Sequence, residues 1–356
     1  MALKILALNP GSTSTKIAIY ENTDEILSKN LSHSAAELAQ FGGIIEQLDY
    51  RLTKITEFLS DQGISAKDFA AVVGRGGLLK PMVSGTYAVD DVMLKDLLNS
   101  LYGEHASNLG AILANMIAQE AGCPAFIVDP VVVDELEPVA RLSGLPKIEK
   151  RSIFHALNQK AVARRFAKAQ NRAYEDMNLI IAHLGGGISV GCHKQGRVVE
   201  VNNALNGEGP FSPERAGTIQ ADQLAELIFN DKLTPADVAK LLAGKGGLVA
   251  HLATNDAREV ERRISSGDKQ AELVYQAMIY QIARYISAAA VPVCGKVDHI
   301  ILTGGIAYSD YLTSKIKEYV AFIAPITVMP GEDELQALAE GAYRVLSGEE
   351  SAKKYR

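Results

Sequence analysis

The sequence has 356 residues, of which 47% are hydrophobic and 22% are charged, the composition of a globular protein long enough for two domains. Its formal net charge is −6, and no run of Lys or Arg is longer than two residues. These features argue against a nucleic-acid or membrane surface and favour small molecules as partners.

The three cysteines, Cys123, Cys192 and Cys294, are far apart and show no C-x-x-C spacing. They indicate neither a disulfide framework nor a zinc site, so we expect a reducing, cytoplasmic location. No charged-then-apolar leader precedes the first strand, and the longest apolar candidate, residues 285–294, is interrupted by Pro292. Since a bilayer span needs roughly 20 apolar residues, we expect no membrane segment.

Two apolar runs at the N-terminus are separated by a turn rich in Gly, Ser and Thr. The run 3–8 enters the turn 9–15, and a second run leaves it before the chain turns again and returns, which predicts a meander of three strands. Period-two alternation places Ser12, Ser14 and Lys16 on one face. Two hydroxyl donors and a compact positive charge suit a phosphoryl group, and a solvated Ser/Thr turn is the alternative.

The next block places two candidates at the ends of short buried strands. Apolar spacing predicts one helix over residues 33–59, which we assign only to the core. The strand 69–73 runs into Arg75 between glycines, where a planar guanidinium can hold a carboxylate or phosphate through two hydrogen bonds. The strand 125–128 ends at Asp129, a candidate anchor for magnesium or water. Ordinary turn residues are the alternative at both positions.

A change of pattern marks the middle of the chain. Residues 130–151 hold three prolines and show no clear period, so we interpret them as the crossing between two halves. His155 then opens a helix that continues to residue 169. In the first turn of that helix, a histidine can hydrogen-bond a developing negative oxygen, or it can be structural.

A second meander follows this helix. Apolar runs over 179–182 and 188–190 flank a turn that contains Gly185, Gly186 and Gly187. Backbone N–H groups in so bare a turn can approach a phosphate closely, while an ordinary tight hairpin is the alternative. Two meanders, each starting a block of mixed strands and helices, indicate a duplicated domain with nucleotide phosphates in the cleft between the copies.

Three later loops carry further candidate ligand groups. Arg215 lies in a loop rich in Gly and Pro over residues 206–218 and would be a second anion clamp. Gly304 and Gly305 form a turn before a helix, a ready site for nucleotide phosphate or ribose. The acidic loop 330–334 also precedes a helix, where a carboxylate can hold magnesium or complement the N-terminal charge of the helix.

Nine motifs then occur in a fixed order: NPGSTSTK (9–16), VGRGG around Arg75, the strand-end Asp129, FH (154–155), HLGGG (183–187), PERAG (213–217), NDARE (255–259), TGGI (303–306) and the acidic loop GEDE (331–334). In this order they cover essentially the whole chain, which resembles the acetate kinase family of acyl-phosphate-forming kinases. That family belongs with sugar kinases, chaperone ATPases and actin.

The resemblance implies an α/β fold of two duplicated ribonuclease-H-like domains, as in actin-like ATPases, with an interdomain cleft. Residues 1–150 with 338–356 would form the N-terminal domain, which binds phosphate and acid. Residues 151–337 would form the C-terminal domain, which binds the nucleotide. The cofactors implied are ATP or ADP and Mg²⁺.

The resemblance also implies a role for each matched residue. Arg75 and Arg215 would hold the carboxylate and the phosphoryl group, His155 would bind phosphoryl oxygens, and Asp129 would support the reaction centre. The residues lining the transferring phosphate and the nucleotide phosphates would be Asn9, Ser12, Ser14, Lys16, His183, Gly185, Gly186 and Gly187. The adenosine would be bordered by Asp256, Arg258, Gly304 and Gly305. Magnesium would be positioned by Asp333 or Glu334.

The activity implied is reversible ATP-dependent phosphorylation of a short-chain fatty acid. Departures from acetate kinase at Gly186, Ala257, residues near Asn158 and the acidic loop favour butanoate as the acid, with acetate, propionate or a branched-chain acid as alternatives. A sugar or polyol kinase with Asp129 as base, and a nucleotide-gated binding module, are rival hypotheses. We expect no nucleic-acid or membrane partner, and a homodimer or larger homo-oligomer.

Overall fold

The computed structural model describes residues 2–356, which form two compact units. One consists of the chain up to Val133 together with Asp333–Arg356, and the other of Asp134–Glu332. The chain therefore passes between the units twice, and the domain division expected at residues 150 and 337 stays a prediction. The assignment of acid binding to one domain and nucleotide binding to the other stays a prediction.

The strands of the first unit are β1 (Lys4–Pro10), β2 (Ser14–Glu21), β3 (Asp24–Ser32), β4 (Ala71–Arg75), β5 (Thr86–Ala88) and β6 (Ala125–Val128). Those of the second are β7 (Asn178–Leu184), β8 (Ile188–Lys194), β9 (Arg197–Val201), β10 (His299–Gly304) and β11 (Ile326–Pro330).

The helices, in chain order, are α1 (Ala35–Leu38), α2 (Leu48–Asp61), α3 (Asp91–Leu98), α4 (Asn108–Ala121), α5 (Pro138–Arg141), α6 (Ala156–Ala169), α7 (Ala221–Asn230), α8 (Pro235–Leu242), α9 (Leu248–Leu252), α10 (Ala257–Ser265), α11 (Lys269–Ala288), α12 (Asp310–Val320) and α13 (Glu334–Leu346). None of those within residues 2–356 combines the length and apolar character that crossing a membrane requires.

The two sheets repeat one topology. The first has the order β3-β2-β1-β4-β6-β5 and the second β11-β10-β7-β8-β9. In each, three strands form an antiparallel meander and the first of them continues into two parallel neighbours, β4 and β6 in one unit and β10 and β11 in the other. The predicted duplication is therefore confirmed, and β5 is the strand that the second sheet lacks.

Each unit buries its own core. In the first, α2 and α4 cover one face of the sheet, and α13 packs on β1, β4 and β6, where Gly341 lies against Val128. In the second, α11 covers β7 and β8 through Tyr275, Met278 and Ile282, which recur every three to four residues. The other face is covered by α6.

The single helix predicted over residues 33–59 is wrong. Ser34 caps the short helix α1, and the chain then breaks at Gly42 and Gly43 before a 3₁₀ turn, Ile45–Gln47, leads into α2. Two successive glycines lose so much backbone entropy in a helix that packing of their apolar neighbours does not offset the cost. The helix predicted to open at His155 is confirmed, because His155 lies at the N-cap of α6.

Candidate active site

In the first unit, candidate residues lie at the carboxyl ends of neighbouring parallel strands. β1 pairs with β4, and β4 with β6 in a register that sets Arg75 beside Val128. Asn9, Arg75 and Asp129 therefore follow one another along one edge of the sheet. Open α/β sheets bind their ligands at such an edge.

Arg75 is braced by two side chains. Its Nη1 donates to Glu334 Oε2 at 3.0 Å and to Asn9 Oδ1 at 3.2 Å, and Asn9 Nδ2 donates to the same Glu334 oxygen at 2.5 Å. The Arg75 side chain is 31% exposed, so its charge is accessible to an anion. The structure thus brings together a predicted phosphate ligand, a predicted clamp and a predicted metal ligand.

Asp129 is buried, and its carboxylate binds the loop beside β5. Its Oδ1 accepts hydrogen bonds from the Ser84 hydroxyl at 2.6 Å and from the Gly85 N–H at 2.8 Å. These bonds fix the end of β6 next to Arg75. Any ligand at this carboxylate would share it with those donors, and a direct part for Asp129 in the reaction stays a prediction.

Of the three residues predicted to share one face of the first hairpin, two lie on a strand and one lies in the turn. β2 begins at Ser14, so Ser14 and Lys16 lie on the same face of a strand. Ser12 lies in the preceding turn. Lys16 and Ser12 are exposed. The hairpin register pairs Asn9 with Lys16, which sets the hairpin beside the Arg75 cluster.

Beneath this hairpin lies Arg51, which the sequence analysis missed. Its guanidinium is fully buried and donates to the carbonyl oxygens of Gly11, Ser14 and Ser12 at 2.8, 3.1 and 3.2 Å. Burial lowers the pKa of Arg51. The sequence did contain a signal for a buried cation, because Arg51 lies four residues before Ile55 and so shares the apolar face of α2.

In the second unit, two stacked histidines flank the glycine turn between β7 and β8. The rings of His155 and His183 lie 3.7 Å apart and are inclined by only 10°. A Cβ on Gly185 would lie 3.1 Å from His183 Nε2, and one on Gly187 would lie 3.8 Å from His155 Cε1. The bare turn therefore leaves the rings room beside it.

Both rings are anchored by polar side chains that were not predicted. His183 Nδ1 lies 2.8 Å from Asn158 Oδ1, and His155 Nδ1 lies 2.8 Å from Ser189 Oγ. On its other side, His183 Nε2 lies 3.5 Å from Glu332 Oε1. A polar stretch directly after His155 in a helix that is otherwise buried was the available signal.

The loop that carries Arg215 is tied to the same turn. The carbonyl oxygen of Gly186 accepts hydrogen bonds from the Ser212 hydroxyl at 2.6 Å and from the Glu214 N–H at 3.2 Å. Arg215 itself lies 3.5 Å from the carboxylate of Glu214. The structure therefore places the predicted second clamp close to the predicted phosphate turn.

Two buried polar atoms around this turn have no hydrogen-bond partner within residues 2–356. They are His183 Nε2 and Arg215 Nε. Buried polar groups are nearly always paired, and the N–H of arginine always donates. A phosphate or carboxylate oxygen fits the N–H of Arg215 Nε.

The predicted nucleotide glycines lie at the same sheet edge. Thr303, just before Gly304, pairs with His183 between β10 and β7. Gly304 adopts φ +91° and exchanges two hydrogen bonds of 3.0 Å with Gly331. Gly305 is exposed and has no atom within 4 Å of the position of a Cβ, so a ligand can approach its backbone.

Asp256 and Arg258 bind each other. Asp256 caps α10 and accepts from Arg258 Nε at 3.0 Å and Nη2 at 2.9 Å, while the Arg258 side chain is 89% exposed. The preceding Asn255 donates to Glu214 at 2.7 Å, which connects this segment to the Arg215 loop. Contact of Asp256 and Arg258 with adenosine stays a prediction.

The acidic segment is the candidate magnesium site. No group of three or more His, Cys, Asp or Glu side chains in the described chain could hold a metal ion by itself. Glu334 binds Arg75, Asp333 lies at the N-cap of α13, and Glu332 is 45% exposed beside His183. Because Mg²⁺ on a nucleotide needs only one or two protein carboxylates, this segment fits it.

Comparison with known sequences gives two findings. The model of the acetokinase family matches residues 147–351. Butyrate kinase 2 of Clostridium acetobutylicum is 56% identical over 356 residues, which is 100% of this chain and 100% of that protein.

Solved structures give the fold. An acetate kinase of Porphyromonas gingivalis matches with a TM-score of 0.79 and 19% identity over 96% of this chain and 99% of its own. A propionate kinase of Francisella tularensis matches with a TM-score of 0.74 and 19% identity over 95% and 98%. These similarities confirm the predicted duplicated fold of actin-like ATPases.

Proposed function

Since this chain belongs to the acetokinase family, we propose that it catalyses the reversible reaction butanoate + ATP = butanoyl phosphate + ADP. The observation that carries this proposal is the 56% identity to a butyrate kinase over the full length of both chains. The rival hypotheses of a sugar kinase and of a nucleotide-gated binding module have no comparable support.

The reaction needs positioning and charge neutralisation more than acid–base chemistry. A carboxylate oxygen is already ionised at pH 7, so it attacks the γ-phosphorus without a general base while the bond from that phosphorus to the ADP oxygen breaks. Negative charge is then spread over the phosphoryl oxygens, and cationic and N–H donors stabilise it. No proton needs to move.

We assign the groups as follows. Arg75 holds the acid carboxylate or the phosphoryl group, with Asn9 as its brace, and Ser12, Ser14 and Lys16 bind the transferring phosphate. His155, Arg215 and the glycine turn bind the phosphates from the second unit, and His183 lines the phosphate site beside the turn. The cluster of Arg75 with Asn9 and Glu334 and the unpaired Arg215 Nε support these assignments.

Magnesium would be held by the acidic segment 332–334 together with the nucleotide phosphates. When bound, it would neutralise phosphate charge and orient the γ-phosphoryl group. A cytoplasmic location and a homo-oligomeric state belong to the same proposal, on the cysteine usage and the family resemblance.

Trapping acyl phosphate with hydroxylamine tests the proposed function. With MgATP, we expect acyl hydroxamate from butanoate, at a higher kcat/KM than from acetate, propanoate, isobutanoate or pentanoate, and none from glycerol. A higher kcat/KM for another acid would show that this acid, and not butanoate, is the preferred phosphoryl acceptor, while the proposed type of reaction would still hold. ADP release without hydroxamate from any acid would overturn the reaction itself.

A further inference from the structure

Consecutive amide side chains of one helix hold the two stacked histidines, Asn158 by direct contact with His183 and Gln159 through Ser189. Both amides are buried, as are His183, Ser189 and His193, and all of these residues belong to the second unit. Because an amide offers an acceptor at one end and donors at the other, the groups it binds determine where a neighbouring imidazole carries its proton.

The orientation of Gln159 is fixed by a backbone carbonyl. Gln159 Nε2 lies 3.1 Å from the carbonyl oxygen of Ser189, which can only accept, so the amide nitrogen must be on that side. Gln159 Oε1 consequently faces His193 Nε2 at 2.9 Å, and this nitrogen must donate. His193 Nδ1 is then an acceptor, and the Tyr174 hydroxyl at 2.6 Å donates to it.

The same amide fixes the histidine at the other end of the chain of hydrogen bonds. Gln159 Nε2 also donates to Ser189 Oγ at 2.8 Å. Ser189 is fully buried, and among the described residues His155 Nδ1 at 2.8 Å is the one acceptor recorded for its hydroxyl proton, so pairing that proton directs it to His155 Nδ1. His155 accepts at Nδ1 and carries its own proton on Nε2.

Asn158 imposes the opposite arrangement on the second ring. Its Nδ2 donates to the carbonyl oxygens of Glu332 at 3.1 Å and Gly331 at 3.3 Å, so Oδ1 faces His183. His183 Nδ1, 2.8 Å from that oxygen, must carry a proton. With that proton on Nδ1, this tautomer leaves Nε2 bare beside Gly185 and Glu332.

The chain leaves space for this network at one position in β8. A Cβ on Gly191 would lie 2.6 Å from Gln159 Oε1 and 3.3 Å from His193 Nε2. Glycine inside a strand costs stability and commonly marks a close approach of other groups. The missing side chain at Gly191 leaves room for the hydrogen bond between Gln159 Oε1 and His193 Nε2.

We propose that Gln159 and Asn158 are positioning residues that set opposite tautomers in the stacked pair, so that His155 presents an N–H donor and His183 an acceptor. The donor is directed at the phosphoryl oxygens, and this part of the inference depends on the proposed function. The hydrogen bonds from Gln159 to Ser189 and from Ser189 to His155 keep the His155 proton on Nε2, and the contacts to His193 and Tyr174 follow from the same orientation of Gln159.

Nitrogen-15 NMR of the substrate-free protein, labelled at its seven histidines, tests the tautomers directly. We expect the Nε2–H form at His155 and His193 and the less common Nδ1–H form at His183, each assigned by single His→Asn variants. A proton on Nδ1 of His155, or on Nε2 alone of His183, would overturn the proposal. Failure of the kinase assay would leave this result standing.

Gln159→Glu reverses the direction of the chain with little change of shape. The new carboxylate accepts from Ser189, so the serine hydroxyl can only accept from His155 Nδ1. We expect the His155 proton to move to Nδ1, and kcat to fall about tenfold or more with KM for ATP within about twofold. An unchanged His155 tautomer in a folded variant would contradict the proposal.

Tyr174→Phe is the matched control, because it removes the outermost donor and leaves the three inner hydrogen bonds. We expect its His155 signal to match the parent and its kcat to stay within about twofold. If Gln159→Glu does not fold, Ser189→Ala replaces it. That variant should give a mixture of His155 tautomers, and a pure Nε2–H signal would count against the chain.

Discussion

Arg75 is a strand-end cation whose charge is only partly neutralised by its neighbours. Asn9 and Glu334 hold one of its nitrogens, and the side chain is still partly exposed. A guanidinium in this state is oriented before a ligand arrives. That arrangement suits electrostatic stabilisation, since little reorganisation is needed when charge develops.

Arg75→Ala should therefore lower kcat for butanoyl phosphate formation about a hundredfold or more, because removal of one preorganised donor costs roughly that much. Circular dichroism should show an unchanged fold. Arg172→Ala, which removes a half-exposed arginine paired with Asp298, is the control and should keep kcat within about twofold. Equal kcat in both variants would remove Arg75 from the mechanism.

Arg51 is the second residue-scale prediction. Arg51→Met removes the donor that three loop carbonyls share, of which that of Ser14 keeps the Gly11 N–H, and a buried group left unsatisfied costs about 1–3 kcal/mol before relaxation. We expect the free energy of unfolding to fall by about 2–4 kcal/mol and KM for ATP to rise, as measured by urea denaturation and initial rates.

Lys54→Met on the same helix provides the comparison for Arg51→Met. Its side chain is 42% exposed, forms a surface ion pair with Glu57 and lies over the Tyr50 ring. Surface substitutions of this kind change stability by about 0.5 kcal/mol or less. If both variants lose the same stability, Arg51 does not support the hairpin.

At the scale of elements, the close approach of α4 to β4 depends on paired glycines. A Cβ on Gly74 would lie 2.0 Å from the carbonyl oxygen of Gly110, which is backbone and cannot rotate away. The helix would have to move off the strand that ends at Arg75.

Gly74→Ala should thus lower the free energy of unfolding by about 1–3 kcal/mol or more, the usual cost of overpacking. It should also raise KM for the acid if the strand end shifts. Gly144→Ala is the control, since that position has a negative φ and no atom within 4 Å of a Cβ. Chemical denaturation of the two variants gives the comparison, and equal midpoints would contradict the packing argument.

Some elements could be predicted from local sequence and others could not. Both glycine-bearing hairpins and the start of α6 were predictable, because turn residues and apolar runs there are local signals. The break at Gly42 was not predicted, because the apolar residues at helical spacing on both sides of the two glycines suggested one continuous helix. The partners of His155 could not be predicted, since Ser189 lies on a strand that only the tertiary fold brings beside α6.

The candidate site shows the same limit. Arg75 and Asp129 could be placed at one sheet edge from the sequence, since parallel strands end together. That Glu334 would bind Arg75 from a position 259 residues later could not be foreseen. Neither could the mutual pairing of Asp256 and Arg258, because their spacing suits a helix cap as well as a ligand site.

At the scale of the whole molecule, each unit has its own sheet and core, so each can respond separately to solution conditions. In the first unit, His33 is buried between the Thr15 hydroxyl at 2.9 Å and the Tyr50 hydroxyl at 3.2 Å. Burial, assisted by the charge of Arg51, lowers the pKa of His33 to about 4.

This pKa predicts a loss of stability in mild acid. Between about pH 6.5 and pH 4 the unfolded chain binds a proton at His33 that the folded chain does not, so the free energy of unfolding falls as pH falls. Urea denaturation from pH 7 to pH 4.5 should show this slope, and His33→Gln should flatten it. The same slope in both proteins would contradict the assignment.

The carbonyl groups directed at Arg51 also determine what the other side of the hairpin presents. In a trans peptide the N–H points away from the carbonyl of the same plane, so the N–H groups of Ser12 and Thr13 point away from the guanidinium. The positive ends of these peptide dipoles face the exposed side of the loop. A buried cation thereby makes the outer surface of the hairpin attractive to anions through the backbone itself.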